Sequence, residues 1–293
     1  MPSILPKYLQ IGDKVAIVGT GKHFDKEVIF NAKQHFESWG LKVMLGEGLF
    51  DYNGAYFSTS LENRVKDLQN ALNDSDCRAI FFARGGYGLL QMLDRLDFTN
   101  FVKNPKWLIG YSDITAIQNH VLARYNIASI HGEMPLNYPI FPHTDKNLES
   151  LRENLFNASS LTATTTTLIG GNLSLLTALL GSESLPDSDG KILFIEDVGE
   201  SYYRIDRMLW SLRRAGYFDK LVGVMLGMFT NCSDCHPPFG ESLDEILQKH
   251  FIELHIPIYQ ISAGHCSDNT SFVFGLPLRQ DVRPNCPAGN RML

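Results

Sequence analysis

The chain has 293 residues, of which 44% are hydrophobic and 20% are charged, and its formal net charge is -6. This composition is typical of a globular protein long enough for two domains, and the acidic balance argues against nucleic-acid binding, which needs a basic face. No run of about 18 apolar residues predicts a membrane span, and the N-terminal segment lacks the pattern of a secretion signal. Five scattered cysteines fit reduced thiols in a cytoplasm better than a disulfide framework; they are Cys77, Cys232, Cys235, Cys266 and Cys286.

Short apolar runs alternate with helical patterns in the first half of the chain. The strands predicted from these runs are 14–19, 41–45, 79–83, 106–110 and 127–130. The predicted helices are 27–39, 59–72 and 115–125, and a further helix is expected after Gly88. Thr59 and Glu62 have the spacing of a capping box that opens the second helix. This alternation predicts a mostly parallel α/β sheet.

The pattern changes after Pro135, where a turn-rich stretch and a run of threonines follow. We place the domain boundary near 140–165, which divides the chain into an N-terminal domain, 1–150, and a C-terminal domain, 165–293. The strands predicted in the second domain are 191–195, 221–228, 258–262 and 271–274, and its helices are 173–180, 204–214 and 243–255. The last residues, 285–293, are expected to form a loose tail.

One stretch, Lys106 to Thr115, combines an apolar strand, a Gly-Tyr turn, Ser112 and the start of a helix. Such a turn holds a hydroxyl clear of the sheet edge, where backbone N–H groups can bind an anion, so it suits a nucleophile. A serine that opens a helix is more often an N-cap, and Asp113 could also serve as the cap. The elbow signature Gly-x-Ser-x-Gly is absent, because Ile114 occupies the second glycine position.

A glycine loop, Arg84 to Gly88, follows the preceding strand. Its glycines allow backbone N–H groups to approach an anion, although a tight strand-to-helix turn explains them equally well. The loop lacks the Rossmann and Walker A spacings, so the sequence does not support a nucleotide cofactor.

Two further strand ends carry a carboxylate and an imidazole. Glu196 ends the strand at 191–195, with Asp197 and Glu200 as competitors, and an acidic loop opening a helix is an equally good interpretation. His265 follows the strand at 258–262 and could act as a general base, with His131 as its rival. Together with Ser112 these residues form a candidate Ser–His–Glu triad, since triads are defined by geometry rather than by chain order.

The string Cys232-Ser-Asp-Cys235-His236 has the spacing of a haem-attachment motif. The sequence shows no export signal, second cysteine pair or axial-ligand context, and Pro237, Pro238 and Gly240 follow at once. A surface loop is therefore favoured over a haem or metal site.

The ordered motifs of the whole chain resemble those of LD-carboxypeptidases, the S66-type serine peptidases also called muramoyltetrapeptide carboxypeptidases. The resemblance runs from about Lys14 to about Pro277. The motifs that carry it are Gly85-Gly-Tyr-Gly88, Gly110-Tyr-Ser-Asp113, His131-Gly132, Gly170-Gly-Asn172, Phe194 to Glu200, Tyr203 to Arg207, and Gly264-His265. The resemblance implies a mostly parallel Rossmann or flavodoxin-like α/β N-terminal domain and a smaller β-rich C-terminal domain, in a cytoplasmic homodimer that needs no metal or cofactor.

The resemblance also implies roles for particular residues. Ser112 is expected to be the nucleophile, His265 the general base and Glu196 its supporting acid. The backbone N–H groups of Asp113 and Gly86 are expected to form the oxyanion hole.

The implied reaction releases the C-terminal D-alanine of a peptidoglycan tetrapeptide by cleaving an L,D bond during cell-wall recycling. Arg84 and Arg204 are candidates for binding the free carboxylate of such a muropeptide. A second branch of the family cleaves peptidyl-nucleotide antibiotics and confers self-immunity, which is the alternative within enzymes. A non-catalytic α/β protein that binds a small ligand is the alternative from another class.

Overall fold

The structure is a computed structural model that describes residues 2–52, 54–157 and 166–277. In the first half the strands are β1 (Lys14–Val18), β2 (Lys42–Leu45), β3 (Cys77–Phe82), β4 (Trp107–Gly110) and β5 (Ser129–His131). The helices of this half are α1 (Lys26–Ser38), α2 (Leu61–Asn73), α3 (Thr99–Lys103), α4 (Thr115–Tyr125) and α5 (Lys146–Phe156).

The second half contains the strands β6 (Leu168–Asn172), β7 (Ile192–Val198), β8 (Gly223–Thr230), β9 (Ile258–Gln260) and β10 (Phe272–Phe274). Its helices are α6 (Leu173–Ala178), α7 (Tyr202–Arg214) and α8 (Leu243–Phe251).

The strands form two sheets. Six strands are ordered β10-β5-β4-β3-β1-β2, and only β10 runs antiparallel to its neighbour. Four parallel strands, ordered β6-β7-β8-β9, form the second sheet. The predicted mostly parallel α/β fold with two sheet-based parts is confirmed.

Alternating side chains of the six-stranded sheet enter two different cores. Val15 and Ile17 of β1 face α1, whereas Ala16 and Val18 face α2. This buried pattern on both faces explains why the parallel strands read as continuous apolar runs.

Strand β10 joins the two halves. It pairs with β5 in the first sheet, with Phe272 opposite His131. The side chains of Phe272 and Phe274, however, pack into the core of the second sheet. The division of the chain at 140–165 therefore stays a prediction, because a strand from the C-terminal part completes the N-terminal sheet.

Lys106, the residue just before β4, is fully buried. Its Nζ donates hydrogen bonds to the carbonyl oxygens of Ala71, Leu72 and Asp74 at 3.0, 2.9 and 2.6 Å. These carbonyls lie at the C-terminal end of α2, where they have no partner within the helix. The lysine therefore satisfies the end of a neighbouring helix.

Some predicted elements were wrong. The expected helix after Gly88 is replaced by two 3₁₀ turns, Leu89–Gln91 and Leu93–Arg95, before the short α3. Helix α5 was missed because prolines precede it, although Asp145 caps it by accepting the backbone N–H of Leu148.

The remaining differences concern element ends. Ser60, not Thr59, caps α2, since its side chain accepts from the backbone N–H of Asn63. Strand β6 was not predicted, and α8 ends at Phe251, where a 3₁₀ turn follows. The predicted tail at 285–293 lies outside the described residues. No helix in the described part of the chain is long and apolar enough to cross a membrane.

Candidate active site

Ser112 stands at the carboxyl edge of the six-stranded sheet, directly after β4 and the turn residue Tyr111. It opens a 3₁₀ turn, Ser112–Ile114, that continues into α4. Its φ of 62° lies in the left-handed region, which non-glycine residues seldom adopt. Strain of this kind persists only where the surrounding structure enforces it, and it is frequent at active sites.

The glycine loop lies against this turn. It follows β3, the neighbour of β4 in the sheet, so both loops leave the same edge. A Cβ on Gly85 would lie 3.1 Å from Ser112 Oγ and 3.0 Å from Ser112 Cβ. These distances are shorter than most Cβ contacts, so a side chain there would force Ser112 or the loop to shift, and glycine favours the close approach.

The N–H of Gly86 forms no backbone hydrogen bond in the described ranges. The N–H of Asp113 lies in the first turn of a helix, where N–H groups have no intrahelical partner. Neither N–H group is therefore committed to a backbone carbonyl, and free N–H groups of this kind suit anion binding.

Glu196 and His265 form a hydrogen-bonded pair. Glu196 is fully buried in β7, and its Oε2 lies 2.7 Å from Nδ1 of His265. The same oxygen accepts the backbone N–H of His265 at 3.2 Å. Gly264 has a φ of 105°, and a Cβ there would lie 2.6 Å from Glu196 Oε2. The close approach of the His265 loop to the carboxylate thus needs a glycine.

The environment of His265 changes its acidity. Burial lowers the pKa of His265, but the hydrogen bond and charge of Glu196, with the charges of Asp197 and Glu133, raise it above its usual value overall. The imidazolium that a general base forms is therefore stabilised in place.

Tyr111 joins the serine turn to the histidine. Its ring packs edge-on against the His265 ring, with 5.0 Å between the ring centroids. Its hydroxyl accepts a hydrogen bond from Asn137 Nδ2 at 2.6 Å, and Asn137 also donates to the buried Glu133 at 3.0 Å. The residue before Ser112 therefore contacts the proposed base directly.

Asn172, at the end of β6, connects the start of α4 to the carboxylates of β7. Its backbone N–H donates to Oγ1 of Thr115 at 3.0 Å, which fixes the start of α4. Its side-chain amide donates to Glu196 at 3.2 Å and to Asp197 at 3.0 Å. No role was predicted for this asparagine, although it belongs to the motif Gly170-Gly-Asn172.

Ser112 Oγ has no hydrogen-bond partner among the described residues, so its link to His265 belongs to the proposal below. Hydrogen bonds between catalytic groups are often long before substrate binds.

The rival residues have other partners. His131 is buried within an aromatic cluster, stacked on Phe272 at 4.7 Å, and burial lowers its pKa to about 4. Its Nε2 lies 3.1 Å from Oδ1 of Asn269. A neutral ring that is enclosed in this way is a poor general base for Ser112.

The competing carboxylates, Asp197 and Glu200, are bound to groups other than His265. Asp197 is buried and accepts the backbone N–H and the hydroxyl of Ser174 at 2.9 and 2.8 Å. Glu200 pairs with Arg204 at 3.3 Å. The structure thus brings Glu196, and neither competitor, to the His265 ring.

The two candidate arginines occupy different places. Arg84 is half-buried beside the glycine loop, and its Nη1 donates to the carbonyl of His23 at 2.9 Å. Arg204 lies on α7 with its side chain 52% exposed, in the ion pair with Glu200.

The Cys232–His236 segment is a loop joined to the start of α7. The carbonyl oxygen of Ser233 accepts the backbone N–H of Tyr202 at 3.0 Å, and the N–H of Ser233 donates to the carbonyl oxygen of Glu200 at 3.1 Å. Within the described ranges no group of three or more His, Cys, Asp or Glu residues could hold a metal ion.

Comparison with known proteins identifies two family domains. Residues 15–132 match the LD-carboxypeptidase N-terminal domain, and residues 165–279 match the LD-carboxypeptidase C-terminal domain.

Similar proteins cover almost the whole chain. A Bacillus subtilis protein named probable murein peptide carboxypeptidase is 30% identical over 92% of this chain and 89% of its own length. The crystal structure of a muramoyltetrapeptide carboxypeptidase from Oxalobacter formigenes has a TM-score of 0.78 and 25% identity, and the match covers 89% of this chain and 92% of that chain. MccF, a microcin C7 self immunity protein, in complex with glutamyl sulfamoyl guanosine has a TM-score of 0.79 at 23% identity, covering 92% and 93% of the two chains. At that identity the likeness shows a shared fold.

Proposed function

The chain belongs to the LD-carboxypeptidase family of serine peptidases, and we propose that it releases the C-terminal D-alanine of a murein tetrapeptide by cleaving an L,D bond. It is a serine-type carboxypeptidase, and the relatives that support the substrate are named for murein peptides and muramoyltetrapeptides. The observation that carries the proposal is the hydrogen bond between Glu196 and His265 beside the strained turn at Ser112.

In the proposed mechanism Ser112 Oγ attacks the carbonyl carbon of the scissile bond while His265 Nε2 takes the hydroxyl proton. The carbonyl oxygen becomes an oxyanion that accepts hydrogen bonds from the N–H groups of Asp113 and Gly86. Collapse breaks the C–N bond, and His265 gives its proton to the amine of D-alanine. Water, deprotonated by His265, then hydrolyses the acyl ester on Ser112 and releases the shortened peptide.

The role of Glu196 follows from its hydrogen bond. An ionised carboxylate accepts, so Nδ1 of His265 carries the hydrogen and Nε2 keeps the lone pair that the reaction needs. The carboxylate then stabilises the imidazolium that forms during attack.

A free substrate carboxylate needs a cation, and we assign this role to Arg84 or Arg204. Arg84 is the first residue of the glycine loop, next to Gly85, where an added Cβ would lie 3.0 Å from Ser112 Cβ, and this position favours it. Replacing each in turn by alanine and measuring KM for the tetrapeptide separates the two.

A second candidate activity is hydrolysis of peptidyl nucleotides, which the fold likeness to MccF favours. Parallel assays with a muropeptide tetrapeptide, the matching tripeptide and an aminoacyl nucleotide discriminate between the two activities.

The proposal includes a cytoplasmic homodimer in cell-wall recycling. Scattered cysteines support a reducing compartment, and the four in the described part are free thiols. Cell fractionation tests the location, and sedimentation analysis at several protein concentrations tests the dimer.

The decisive experiment replaces Ser112 by alanine and measures D-alanine release from the tetrapeptide. Loss of a triad member is expected to lower kcat by about 10⁴- to 10⁶-fold while the circular dichroism spectrum stays unchanged. Release at the wild-type rate by the folded variant would refute the serine mechanism.

A further inference from the structure

The carboxyl group of Asp113 has no part in the mechanism above, which uses only the backbone N–H of this residue. The side chain is nevertheless fully buried. Its Oδ2 accepts the backbone N–H of Leu89 at 3.0 Å. The backbone N–H of Gly88 also lowers the pKa of this carboxyl group.

The hydrogen bond from Leu89 connects two separate strand ends. Gly88 ends the glycine loop after β3, two residues beyond Gly86, and Leu89 is the next residue, whereas Asp113 follows β4. One side chain thus ties the loop that carries one proposed oxyanion donor to the residue that carries the other.

The charge of a buried cation, Arg64, also acts on this carboxyl group. Arg64 of α2 is 1% exposed, with its guanidinium 4.1 Å from the ring of Phe57. It donates to the carbonyl of Thr20 at 2.9 Å and to Gln91 Oε1 at 3.1 Å. Burial raises the pKa of Asp113 to about 6, against the hydrogen bonds from the loop and the charge of Arg64, which lower it.

A purely structural explanation would be that the carboxylate only closes a loop. The position of that loop argues for more, because a Cβ on Gly85 in the same loop would lie only 3.0–3.1 Å from the Ser112 side chain. Donors stabilise a transition state only when they are held close to the oxyanion position, within about 0.5 Å.

We propose that the Asp113 carboxylate is a positioning residue that fixes the separation of the two oxyanion donors, the N–H groups of Gly86 and Asp113. This inference rests on the proposed function, since it assigns a further role at the same site.

The test compares Asp113→Ala and Asp113→Asn with matched changes at Asp67. Asp67 is also a buried carboxylate that holds a loop, accepting the N–H groups of Glu47 and Gly48 at 3.0 and 2.9 Å. This loop follows β2 at the edge of the sheet and carries neither proposed oxyanion donor. Asp67→Ala and Asp67→Asn therefore measure the effect of losing a buried carboxylate that holds a loop away from the serine.

We expect Asp113→Ala to lower kcat for D-alanine release by about 100-fold with KM changed less than about twofold, because oxyanion stabilisation acts in the transition state. Asparagine keeps an acceptor for the N–H of Leu89, but its buried NH₂ group has no acceptor at the place of Asp113 Oδ1, which has no partner among the described residues, so the rescue is expected to be partial. The kcat of Asp113→Asn should therefore be about tenfold higher than that of Asp113→Ala. The Asp67 variants should lower the melting temperature and keep kcat.

A second readout does not depend on the peptide substrate. A fluorophosphonate forms a bond between Ser112 Oγ and phosphorus as the P–F bond breaks and fluoride leaves with the hydroxyl proton. Its phosphoryl oxygen needs the same donors, so Asp113→Ala should slow labelling in proportion to its effect on kcat.

Two results separate this inference from the proposed function. Wild-type kcat and labelling rate in both folded Asp113 variants would overturn the positioning role while leaving the carboxypeptidase activity standing. If the wild-type protein releases no D-alanine but is labelled faster than Asp113→Ala, the positioning role is supported and the proposed substrate is refuted.

Discussion

Oε2 of Glu196 receives both hydrogen bonds that His265 directs toward β7, one from ring Nδ1 at 2.7 Å and one from the backbone N–H at 3.2 Å. One oxygen therefore fixes the orientation of the ring and the position of the loop that carries it. The imidazole has little freedom to rotate away from the serine turn.

Replacing Glu196 by glutamine should test this arrangement. We expect kcat to fall by about 10³- to 10⁴-fold, because the amide can hold the wrong tautomer of His265 and cannot stabilise the imidazolium. Glu200→Gln is the matched control, since Glu200 pairs with the exposed Arg204. The same steady-state assay of D-alanine release measures both. Equal losses in the two variants would contradict the choice of Glu196.

The pH profile of kcat/KM should show the raised pKa of His265. The base must be neutral, so activity is expected to fall about tenfold per pH unit below this pKa, with the inflection above the value of about 6.5 for a free imidazole. In Glu196→Gln the inflection should move to lower pH, because burial then acts without the opposing carboxylate. A flat profile between pH 5 and 8 would count against His265 as the base.

The raised pKa of His265 also makes the free energy of unfolding depend on pH. A folded-state pKa above the unfolded value means that the folded protein binds a proton more tightly. His265 therefore stabilises the fold fully below about pH 6.5, and this contribution is lost as the pH rises through the folded-state pKa. Urea denaturation of the wild type and of His265→Ala at pH 5.5 and pH 8.5 should show a larger difference at the lower pH.

His131 should prove structural. Its buried ring stacks on Phe272, so His131→Ala is expected to lower the free energy of unfolding by on the order of 2–4 kcal/mol, as for other large buried side chains. The folded fraction should retain kcat within about tenfold, whereas His265→Ala loses about 10⁴-fold or more. Comparable inactivation of the two folded variants would make His131 the base.

Lys106 should be important for the stability of α2. Lys106→Met leaves three carbonyl oxygens without their buried donor, and we expect a loss of on the order of 2–4 kcal/mol in the free energy of unfolding. Lys103→Met, an exposed lysine near the end of α3, should change stability by less than about 0.5 kcal/mol. Thermal melts of both variants measure the difference, and equal melting temperatures would show that the carbonyls find other partners.

Much of the fold was readable from the sequence because apolar periodicity is a local property. The strands around 79–83 and 106–110 were found in this way, and each leads to a loop of the site. Helix α5 was missed although Leu148, Leu151 and Leu155 have helical spacing, because the prolines before it suggested a continuous turn region.

The site was predictable only in part, for a physical reason. Strand ends could be recognised at Ser112, Glu196 and His265, and the family motifs gave their expected roles. Asn172 donates to Glu196, and Asn137 donates to Tyr111. Both bonds join residues that are distant in sequence, so no local pattern predicts these contacts. The pairing of β10 with β5 is likewise a long-range contact.

The return of β10 to the first sheet has a consequence for synthesis on the ribosome. Ser112 and its sheet neighbours emerge early, but β5 lacks its antiparallel partner until residues 272–274 have been translated. The same late segment carries Asn269, which accepts the N–H of Gly264 beside His265. A nascent chain therefore displays the serine turn well before the imidazole loop is anchored, and the order of translation delays hydrolytic competence until both halves have been made.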